Sequence, residues 1–311
     1  MKEYKGANSF ICERQTVVTI GTFDGVHAGH RKIIERLVNS ANANNLDSVV
    51  LTFFPHPRMV LQKESGIQLI NTITERKQLL EETGIDHLVI HPFTHQFSRL
   101  TALEFVRDIL VNKLKAKKII IGYDHRFGRN RTADIDDLKQ FGKDFGFEVE
   151  EISQQDVEQV AVSSTKIRNA LLEGKVERAN MYLQHPFSLS GTIVKGRGIG
   201  KDLGFPTANL EVPEDYKLIP KNGVYVVRTK IDGETIFGMM NIGTNPTVDG
   251  KEKTIESYFF NLDKDLYGKE LHIEMLVRIR DEKKFASVDD LKIAMKQDQA
   301  FSKQYIKDNY A

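Results

Sequence analysis

The sequence predicts two domains: an N-terminal α/β domain with a doubly wound parallel sheet, and a C-terminal antiparallel β-barrel that ends in a helix. Three observations predict this fold class. The 311 residues exceed what a single hydrophobic core usually holds. Short β-branched runs alternate with helical patterns in the first half of the chain. After His185-Pro186, short alternating segments punctuated by glycine take their place.

In the first domain, each predicted strand is followed by a single helix. Such strands must be joined by crossovers, so they favour a parallel sheet with helices on both faces. Ligands of such sheets bind at the carboxyl ends of the strands. The predicted strands span residues 16–20, 48–53, 87–91, 118–122 and 148–152, and the predicted helices span 29–43, 74–82, 102–114 and 135–145.

Two further helices, 164–173 and 175–183, close the first half. We place the domain boundary near residue 184, which gives domains of residues 1–184 and 185–311. Short strands with frequent turn signals are typical of an antiparallel barrel. The predicted barrel strands span 189–194, 223–231, 236–243, 254–260 and 271–279, and an amphipathic helix spans 289–305.

Composition limits the partners that we expect. The chain has 44 Lys plus Arg against 43 Asp plus Glu, so no strong overall field attracts nucleic acid or anionic lipid. Its apolar runs are far shorter than the roughly 20 residues that cross a bilayer. Cys12 is the only cysteine, and the first residues lack the apolar core of a signal peptide. We therefore expect a cytoplasmic protein with no nucleic-acid or membrane partner, and no pattern indicates an oligomeric state.

The N-terminal motif is the segment from Gly21 to His30, which reads GTFDGVHAGH and lies between the first strand and the first long helix. A helix N-terminus offers backbone N–H groups and a positive dipole, and two histidines can donate to phosphate oxygens. No lysine in the segment can act as a Walker lysine. A metal site or a pair of capping histidines is the alternative, but no set of Cys, His and carboxylates in the sequence pattern completes a zinc site around this pair. The strand-turn-helix setting favours nucleotide binding.

This segment resembles the His-x-Gly-His signature of the nucleotidylyltransferases, in the form typical of bacterial FAD synthetases. Three later segments resemble motifs of the same family: FFPHP from Phe53, GYDHRFG from Gly122 and SSTKIR from Ser163. The resemblance implies transfer of an adenylyl group from ATP to FMN, with release of pyrophosphate. It implies catalytic roles for His27, His30 and Arg168, ATP-binding roles for Gly21, Phe23, Gly29, Ser164 and Thr165, and a flavin-binding role for Asp124.

The C-terminal motif lies in the glycine-rich segment from Gly191 to Leu210. Its glycines fit neither the Walker A nor the Rossmann spacing. The GFPTAN run from Gly204 resembles the signature of riboflavin kinases, and the whole chain resembles the bacterial bifunctional riboflavin kinase/FMN adenylyltransferase family. That resemblance implies Glu256 as the catalytic base, Thr207 and Asn209 as ligands of Mg²⁺ and ATP phosphates, Gly196, Gly200 and Lys201 as further phosphate-binding residues, and Arg280, Glu282 and Phe285 as flavin-binding residues.

The expected substrates are therefore riboflavin, FMN and ATP, with Mg²⁺ as cofactor. Three positions depart from the family pattern, because Lys201, Tyr258 and Asn261 stand where many relatives carry arginine, histidine and aspartate. Two other functions stay open at this point. One is an RNA-acting protein, which the interspersed lysines and glutamates disfavour because a basic face with stacking aromatics is expected. The other is a flavin-binding regulator without catalysis, which the retained motif residues disfavour.

Overall fold

A computed structural model of the chain describes residues 1–62, 66–123, 125–153, 162–196, 204–247 and 250–310. The chain folds as two compact units, Met1–Ser164 and Thr165–Ala311. The predicted domain boundary at residue 184 lies 20 residues further on than this division. Within the described ranges, no helix combines the length and the apolar character needed to span a bilayer.

The first unit is built on a six-stranded sheet in which every paired strand is parallel. The strand order is β1-β4-β3-β2-β5-β6. The order reverses between β2 and β5, and this switch point is where open α/β sheets bind ligands. The strands are β1 (Lys2–Lys5), β2 (Thr16–Ile20), β3 (Asp47–Phe53), β4 (His87–His91), β5 (Ala116–Gly122) and β6 (Glu148–Ile152).

Helices cover both faces of this sheet. They are α1 (Ala28–Asn44), α2 (Pro57–Leu61), α3 (Ile73–Glu81), α4 (Ala102–Glu104), which continues as a π-helix over Phe105–Lys113, and α5 (Ile135–Phe145); short 3₁₀ turns span Ala7–Ser9, Phe97–Arg99 and Arg129–Arg131. Val17 and Val50 face α1 and α3 in one core, whereas Val18 and Val49 face the π-helix and α5 in the other. Alternate residues of buried parallel strands thus serve opposite cores, which confirms the doubly wound prediction.

The second unit is a closed antiparallel barrel with flanking helices. Its strand order is β10-β11-β8-β7-β12-β9. The strands are β7 (Phe187–Val194), β8 (Ala208–Glu211), β9 (Gly223–Ile231), β10 (Glu234–Thr247), β11 (Gly250–Phe259) and β12 (Glu270–Arg280). The terminal helix α8 (Val288–Tyr310) packs Tyr305 and Ile306 against apolar side chains of β9 and β12. The barrel and its terminal helix are as the sequence predicts.

Helices α6 (Ser164–Leu172) and α7 (Val176–Leu183) precede the barrel in the chain. Helix α7 packs on β12 and β7. Its Asn180 amide donates to the Met275 carbonyl at 2.8 Å and accepts from the Phe187 N–H at 2.7 Å. The side chain of Asn180 therefore joins α7 to the barrel strands that it covers.

Candidate active sites

The loop after β2 is the part of the first motif with the most unusual backbone. Phe23 and Val26 adopt φ values of 48° and 40°, and Gly25 has φ of 92°. Phe23 is buried, and a Cβ atom added to Gly21 would lie 3.1 Å from its ring. A side chain at position 21 would therefore push against the ring, which explains a glycine here. The loop lies at the carboxyl end of β2, beside the switch point of the sheet.

The Asp24 carboxylate anchors this loop to the segment that precedes α3. It accepts hydrogen bonds from the backbone N–H groups of Ile70 and Asn71 at 3.0 and 3.2 Å. The Arg76 guanidinium lies 3.7 Å from the same carboxylate, and both side chains are buried. Buried charges persist only when they are paired and hydrogen-bonded. The Asp24–Arg76 pair thus fixes the loop to the start of α3, a role that the motif alone did not predict.

His27 and His30 stand at the start of α1. His27 is the N-cap, and its Nδ1 accepts a hydrogen bond from the His30 backbone N–H at 3.3 Å. Because an accepting Nδ1 carries no proton, the neutral His27 ring holds its proton on Nε2. The two rings stack with centroids 3.6 Å apart. Gly29 is buried between the two histidines in the first turn.

The ring of His30 is held by packing. It stacks on His27 and meets Phe23 edge-on with centroids 5.1 Å apart. Its Nδ1 is buried and has no hydrogen-bond partner within the described part of the chain. Burial, followed by the nearby His27 and Arg76, lowers the pKa of His30 well below its ordinary value of 6.5. His30 is therefore neutral near pH 7 and can offer an N–H to an anionic ligand.

Two later motifs are described in the structure, and the SSTKIR motif spans the division between the two units. The Ser164 hydroxyl donates to the Asp24 backbone oxygen at 2.8 Å, which ties the start of α6 to the loop after β2. Thr165 is exposed and Arg168 half-buried, one turn further along α6. In the FFPHP segment, His56 is the N-cap of α2 and accepts from the Arg58 N–H at 3.1 Å.

The motif after β5 is described in part. Asp124, the predicted flavin ligand, lies outside the described residues. Beyond it, Gly128 has φ of 72°, and an added Cβ would lie 2.9 Å from the Ala102 nitrogen, so only glycine fits there. Three exposed arginines surround this turn: Arg126, Arg129 and Arg131.

In the barrel, Thr207 just before β8 lies close to Asn209 on β8 and Glu256 on β11. The Thr207 hydroxyl donates to a Glu256 carboxylate oxygen at 3.2 Å. Glu256 on β11 is directly opposite Asn209 on β8 and Asn241 on β10. Opposed residues of antiparallel strands project on the same face, so these side chains form one polar row. Asn241 is a member of this row that is not among the predicted site residues, although it lies in a predicted strand.

Gly196 borders the polar row. A Cβ atom on Gly196 would lie 2.0 Å from the Asn209 amide nitrogen, so the Asn209 side chain rests directly against the Gly196 backbone. A larger residue at position 196 would displace Asn209. Gly200 and Lys201, the other predicted phosphate-binding residues of this segment, lie outside the described residues.

The three predicted flavin-binding residues of the barrel make internal contacts. The Arg280 guanidinium donates to the buried Asp298 carboxylate of α8 at 2.7 and 2.9 Å and lies over the Phe285 ring at 5.6 Å. The Glu282 carboxylate accepts from the Thr244 N–H at 3.1 Å. These residues join α8 and β10 to the end of β12, and Asp298 is a partner that the sequence did not reveal.

Two of the three departures from the family pattern lie among the described residues. Tyr258 packs edge-on against Phe205 and Phe260 in an apolar cluster. Asn261 adopts φ of 56°, a left-handed conformation that asparagine tolerates better than most residues. Lys201, the third departure, lies outside the described residues.

Comparisons with known proteins cover both units. A family model described as FAD synthetase matches residues 10–166, and one described as riboflavin kinase matches residues 183–306. A bifunctional riboflavin kinase/FMN adenylyltransferase of Escherichia coli K12 is 35% identical, over 93% of this chain and 92% of its own length. One from Listeria monocytogenes is 36% identical, over 91% and 90%.

One solved structure is similar along the whole chain. It is described as a macrolide-efflux protein from Streptococcus pneumoniae and has a TM-score of 0.88 at 32% sequence identity. The alignment covers 100% of this chain and 99% of that one. The architecture of both units is therefore shared with a crystal structure.

Proposed function

Because the chain belongs to the family of bifunctional riboflavin kinase/FMN adenylyltransferases, we propose which of its residues carry each of the two activities. The enzyme uses ATP to phosphorylate riboflavin to FMN, and then adenylylates FMN to FAD with release of pyrophosphate. The FAD synthetase match covers the parallel-sheet half and the riboflavin kinase match covers the barrel. Its small-molecule substrates are riboflavin, FMN and ATP.

The adenylylation site lies, in our proposal, at the start of α1. An FMN phosphate oxygen attacks the α-phosphorus of ATP, a new P–O bond forms, and the bond to the pyrophosphate oxygen breaks. No protein nucleophile is needed, so positioning and charge stabilisation carry the rate. Neutral His27 and His30 donate N–H groups to the phosphate oxygens, and the stacked geometry of the two rings supports this role.

The remaining motif residues of this half hold ATP in the proposal. The close approach of Gly21 to Phe23 and the buried Gly29 keep the loop and the helix start compact enough for a nucleotide to reach backbone N–H groups. Ser164, Thr165 and Arg168 at the start of α6 bind the β- and γ-phosphates. The Ser164 hydrogen bond to the loop supports this placement. Asp124 keeps its proposed flavin role from the motif alone.

The kinase site is the polar row in the barrel. Glu256 accepts the proton of the riboflavin 5′-hydroxyl, whose oxygen attacks the γ-phosphorus while ADP leaves. Thr207 and Asn209 hold the nucleotide phosphates, and Gly196 leaves room for Asn209. The observation that carries this assignment is the 3.2 Å hydrogen bond from the Thr207 hydroxyl to Glu256, because it brings the signature threonine and the proposed base together.

Mg²⁺ fits this set of donors. Mg²⁺ prefers oxygen ligands and is usually held by one or two protein groups together with substrate phosphates. Thr207, just before β8, offers a hydroxyl oxygen, and Asn209 and Glu256 on neighbouring strands offer an amide and a carboxylate oxygen. When bound with ATP, Mg²⁺ would neutralise charge on the transferred phosphate. Thr207 and Asn209 are the proposed protein ligands of Mg²⁺. Gly200 and Lys201 are proposed to contact the ATP phosphates.

The flavin-side residues of the barrel act by positioning in our proposal. Arg280 binds Asp298 through two nitrogens and lies over Phe285, so it fixes α8 beside the end of β12. Glu282 fixes β10, the strand that carries Asn241. A riboflavin ring would then bind against α8, whose position these contacts set. Because both reactions consume ATP, we also propose the cytoplasm as the compartment. We further propose that the two activities lie on separate catalytic domains, whose boundary falls between residues 164 and 184.

Paired variants test these assignments. The full-length chain is incubated with ATP and Mg²⁺ and with either riboflavin or FMN, and FMN and FAD are separated and quantified. His30→Ala should lower FAD formation about a hundredfold or more and leave FMN formation unchanged. Glu256→Gln should lower FMN formation about a hundredfold to ten-thousandfold and leave adenylylation of added FMN unchanged.

Matched controls use exposed residues of the same type. His95→Ala in the first unit and Glu234→Gln on β10 should preserve both activities, because both side chains are exposed. Equal losses of both activities in either test variant would contradict the two-site assignment. Full kinase turnover in a folded Glu256→Gln variant would remove Glu256 as the base.

A further inference from the structure

Three potential metal ligands meet at the amino-terminal edge of the parallel sheet. Asp47 is the first residue of β3, His87 is the first residue of β4, and Cys12 lies in the segment that leads into β2. Neighbouring parallel strands begin at the same edge, so the three side chains converge although they are far apart in sequence. The loop after β2, which belongs to the proposed adenylylation site, lies at the opposite edge, where the strands end. This cluster is therefore separate from the adenylylation site.

The distances within the cluster suit one ion. The Cys12 Sγ lies 2.8 Å from Asp47 Oδ2 and 3.8 Å from His87 Nε2, and His87 Nε2 lies 3.1 Å from Asp47 Oδ2. A tetrahedral Zn²⁺ has bonds of about 2.3 Å to sulfur and about 2.0 Å to nitrogen or oxygen, which separates its ligand atoms by about 3.3 to 3.6 Å. Shifts of about 0.7 Å or less bring the three atoms to that spacing.

The surroundings orient the histidine. The Tyr4 hydroxyl donates its hydrogen to the Ile11 carbonyl at 3.0 Å, and its oxygen lies 3.4 Å from His87 Nδ1, where it can accept from this nitrogen once Nε2 binds a metal. The nitrogen that faces Cys12 and Asp47 is Nε2, which donates to Asp47 Oδ2 at 3.1 Å in the metal-free chain. A bound ion would replace the proton on Nε2, and the ring proton would then lie on Nδ1. Metal-binding histidines characteristically use the other ring nitrogen as a donor in this way.

The carboxylate is oriented as well. Arg14 forms an ion pair with Oδ1 of Asp47, which leaves Oδ2 directed at the thiol and the imidazole. Cys12 is half-buried, and the Asp47 and His87 side chains are buried. Lys115 lies nearby, but its Nζ donates to the Cys12 carbonyl at 2.5 Å and not to the cluster.

We propose that Cys12, Asp47 and His87 form a binding site for a Zn²⁺-type divalent transition-metal ion, with water in the fourth position. A thiolate together with an imidazole selects such ions over Mg²⁺, which prefers oxygen ligands only. On binding, the Cys12 S–H bond is broken, its proton leaves to solvent and the sulfur bonds to the metal without any change of oxidation state. The ion would link the starts of β3 and β4 to the segment that leads into β2.

The single cysteine makes the test specific. The full-length chain is freed of metal with a chelator and titrated with Co²⁺, which substitutes for Zn²⁺ and gives a sulfur-to-metal charge-transfer band in the near ultraviolet. Because Cys12 is the only cysteine of the 311 residues, such a band reports this site alone. The expected result is a band that saturates at one equivalent, that equimolar Zn²⁺ abolishes and that excess Mg²⁺ leaves unchanged.

Variants separate the site from other histidines. Cys12→Ser and His87→Ala should abolish the band, and His95→Ala, an exposed histidine of the same unit, should retain it. FAD formation is measured in parallel, so a failure of this site is distinguishable from a failure of the catalytic assignment. A wild-type chain without the band, or a folded His87→Ala variant that keeps it at full strength, would overturn the proposal. The cluster would then be a hydrogen-bonded closure of the sheet edge.

Discussion

Removing α7 should destabilise the kinase half, although the sequence pattern places the domain boundary after this helix. Val176, Ala179 and Leu183 of α7 are fully buried, and α7 packs on β12 and β7. A fragment of residues 184–311 lacks these contacts, whereas a fragment of residues 165–311 keeps them. The two fragments therefore differ in a defined set of interactions within the second unit.

The size of the effect follows from those contacts. Burying a Val or Leu side chain contributes about 1.5 to 3 kcal/mol, and each of the two Asn180 hydrogen bonds contributes about 1 kcal/mol. The entropy of ordering the helix is set against the helix's own backbone hydrogen bonds as well as against these contacts, so the net effect is smaller than the contacts alone would give. We expect a net loss of about 3 kcal/mol, a large fraction of the roughly 5 to 15 kcal/mol that stabilises a typical domain.

The assay is urea unfolding followed by far-ultraviolet circular dichroism, together with FMN formation from riboflavin. A loss of about 3 kcal/mol lowers the urea midpoint of the shorter fragment by about 1 to 3 M. In the full chain, Leu183→Ala should cost about 2 to 5 kcal/mol. Leu172→Ala is the matched control, because Leu172 is half exposed. Equal midpoints and equal kinase activity of the two fragments would refute the reasoning and support a boundary at residue 184.

Three further predictions concern single residues. Because burial lowers the pKa of His30 below 6.5, the unfolded chain binds a proton that the folded chain does not, so stability falls as pH drops through about 6.5. His30→Gln should therefore reduce the change of melting temperature with pH between about pH 7.5 and 5.5, and an unchanged slope of melting temperature against pH would contradict this. Gly196→Ala should lower kinase activity by displacing Asn209 while adenylylation of added FMN persists, and an unchanged kinase kcat/KM would argue against the close contact. Asp298→Asn should lower the free energy of unfolding of the barrel unit by about 3 kcal/mol, because it leaves Arg280 without its buried partner; an equal urea midpoint would show that the pair does not hold α8.

Burial explains which strands the sequence predicted well. The strands β2 and β4 match the predicted ranges 16–20 and 87–91, and their residues are mostly buried β-branched or aliphatic ones. The missed strand β1 (Lys2–Lys5) is a mostly exposed edge strand of charged residues, whose sequence carries no strand-like alternation. The missed strand β8 (Ala208–Glu211) has four residues and follows a glycine- and proline-containing loop. Its strand conformation is set by pairing with β7 and β11, and not by local propensity.

Long-range contacts explain which parts of the sites the sequence did not predict. Family motifs indicated His27, His30, Thr207 and Glu256, but a motif gives no information on the partner that holds a residue in place. Arg76 lies 52 positions after Asp24, its partner, and only folding brings the two together. Asp298 and its partner Arg280 likewise come from separate elements. The same is true of the three residues of the metal-ligand cluster, Cys12, Asp47 and His87.

The two proposed phosphate sites differ in what the backbone can offer. At the start of α1, backbone N–H groups have no partner one turn earlier in the helix, so a nucleotide can use them, and neutral histidines suffice beside them. In the closed barrel, the strand N–H groups are used by neighbouring strands. In our proposal, the kinase site therefore binds phosphate through the loop at Gly200 and Lys201, through Mg²⁺ and through the side-chain oxygen donors Thr207, Asn209 and Glu256. On this reasoning, chelation of Mg²⁺ should lower FMN formation, because Thr207 and Asn209 bind phosphate together with the ion. Variants of His30 should leave the dependence of FMN formation on Mg²⁺ unchanged.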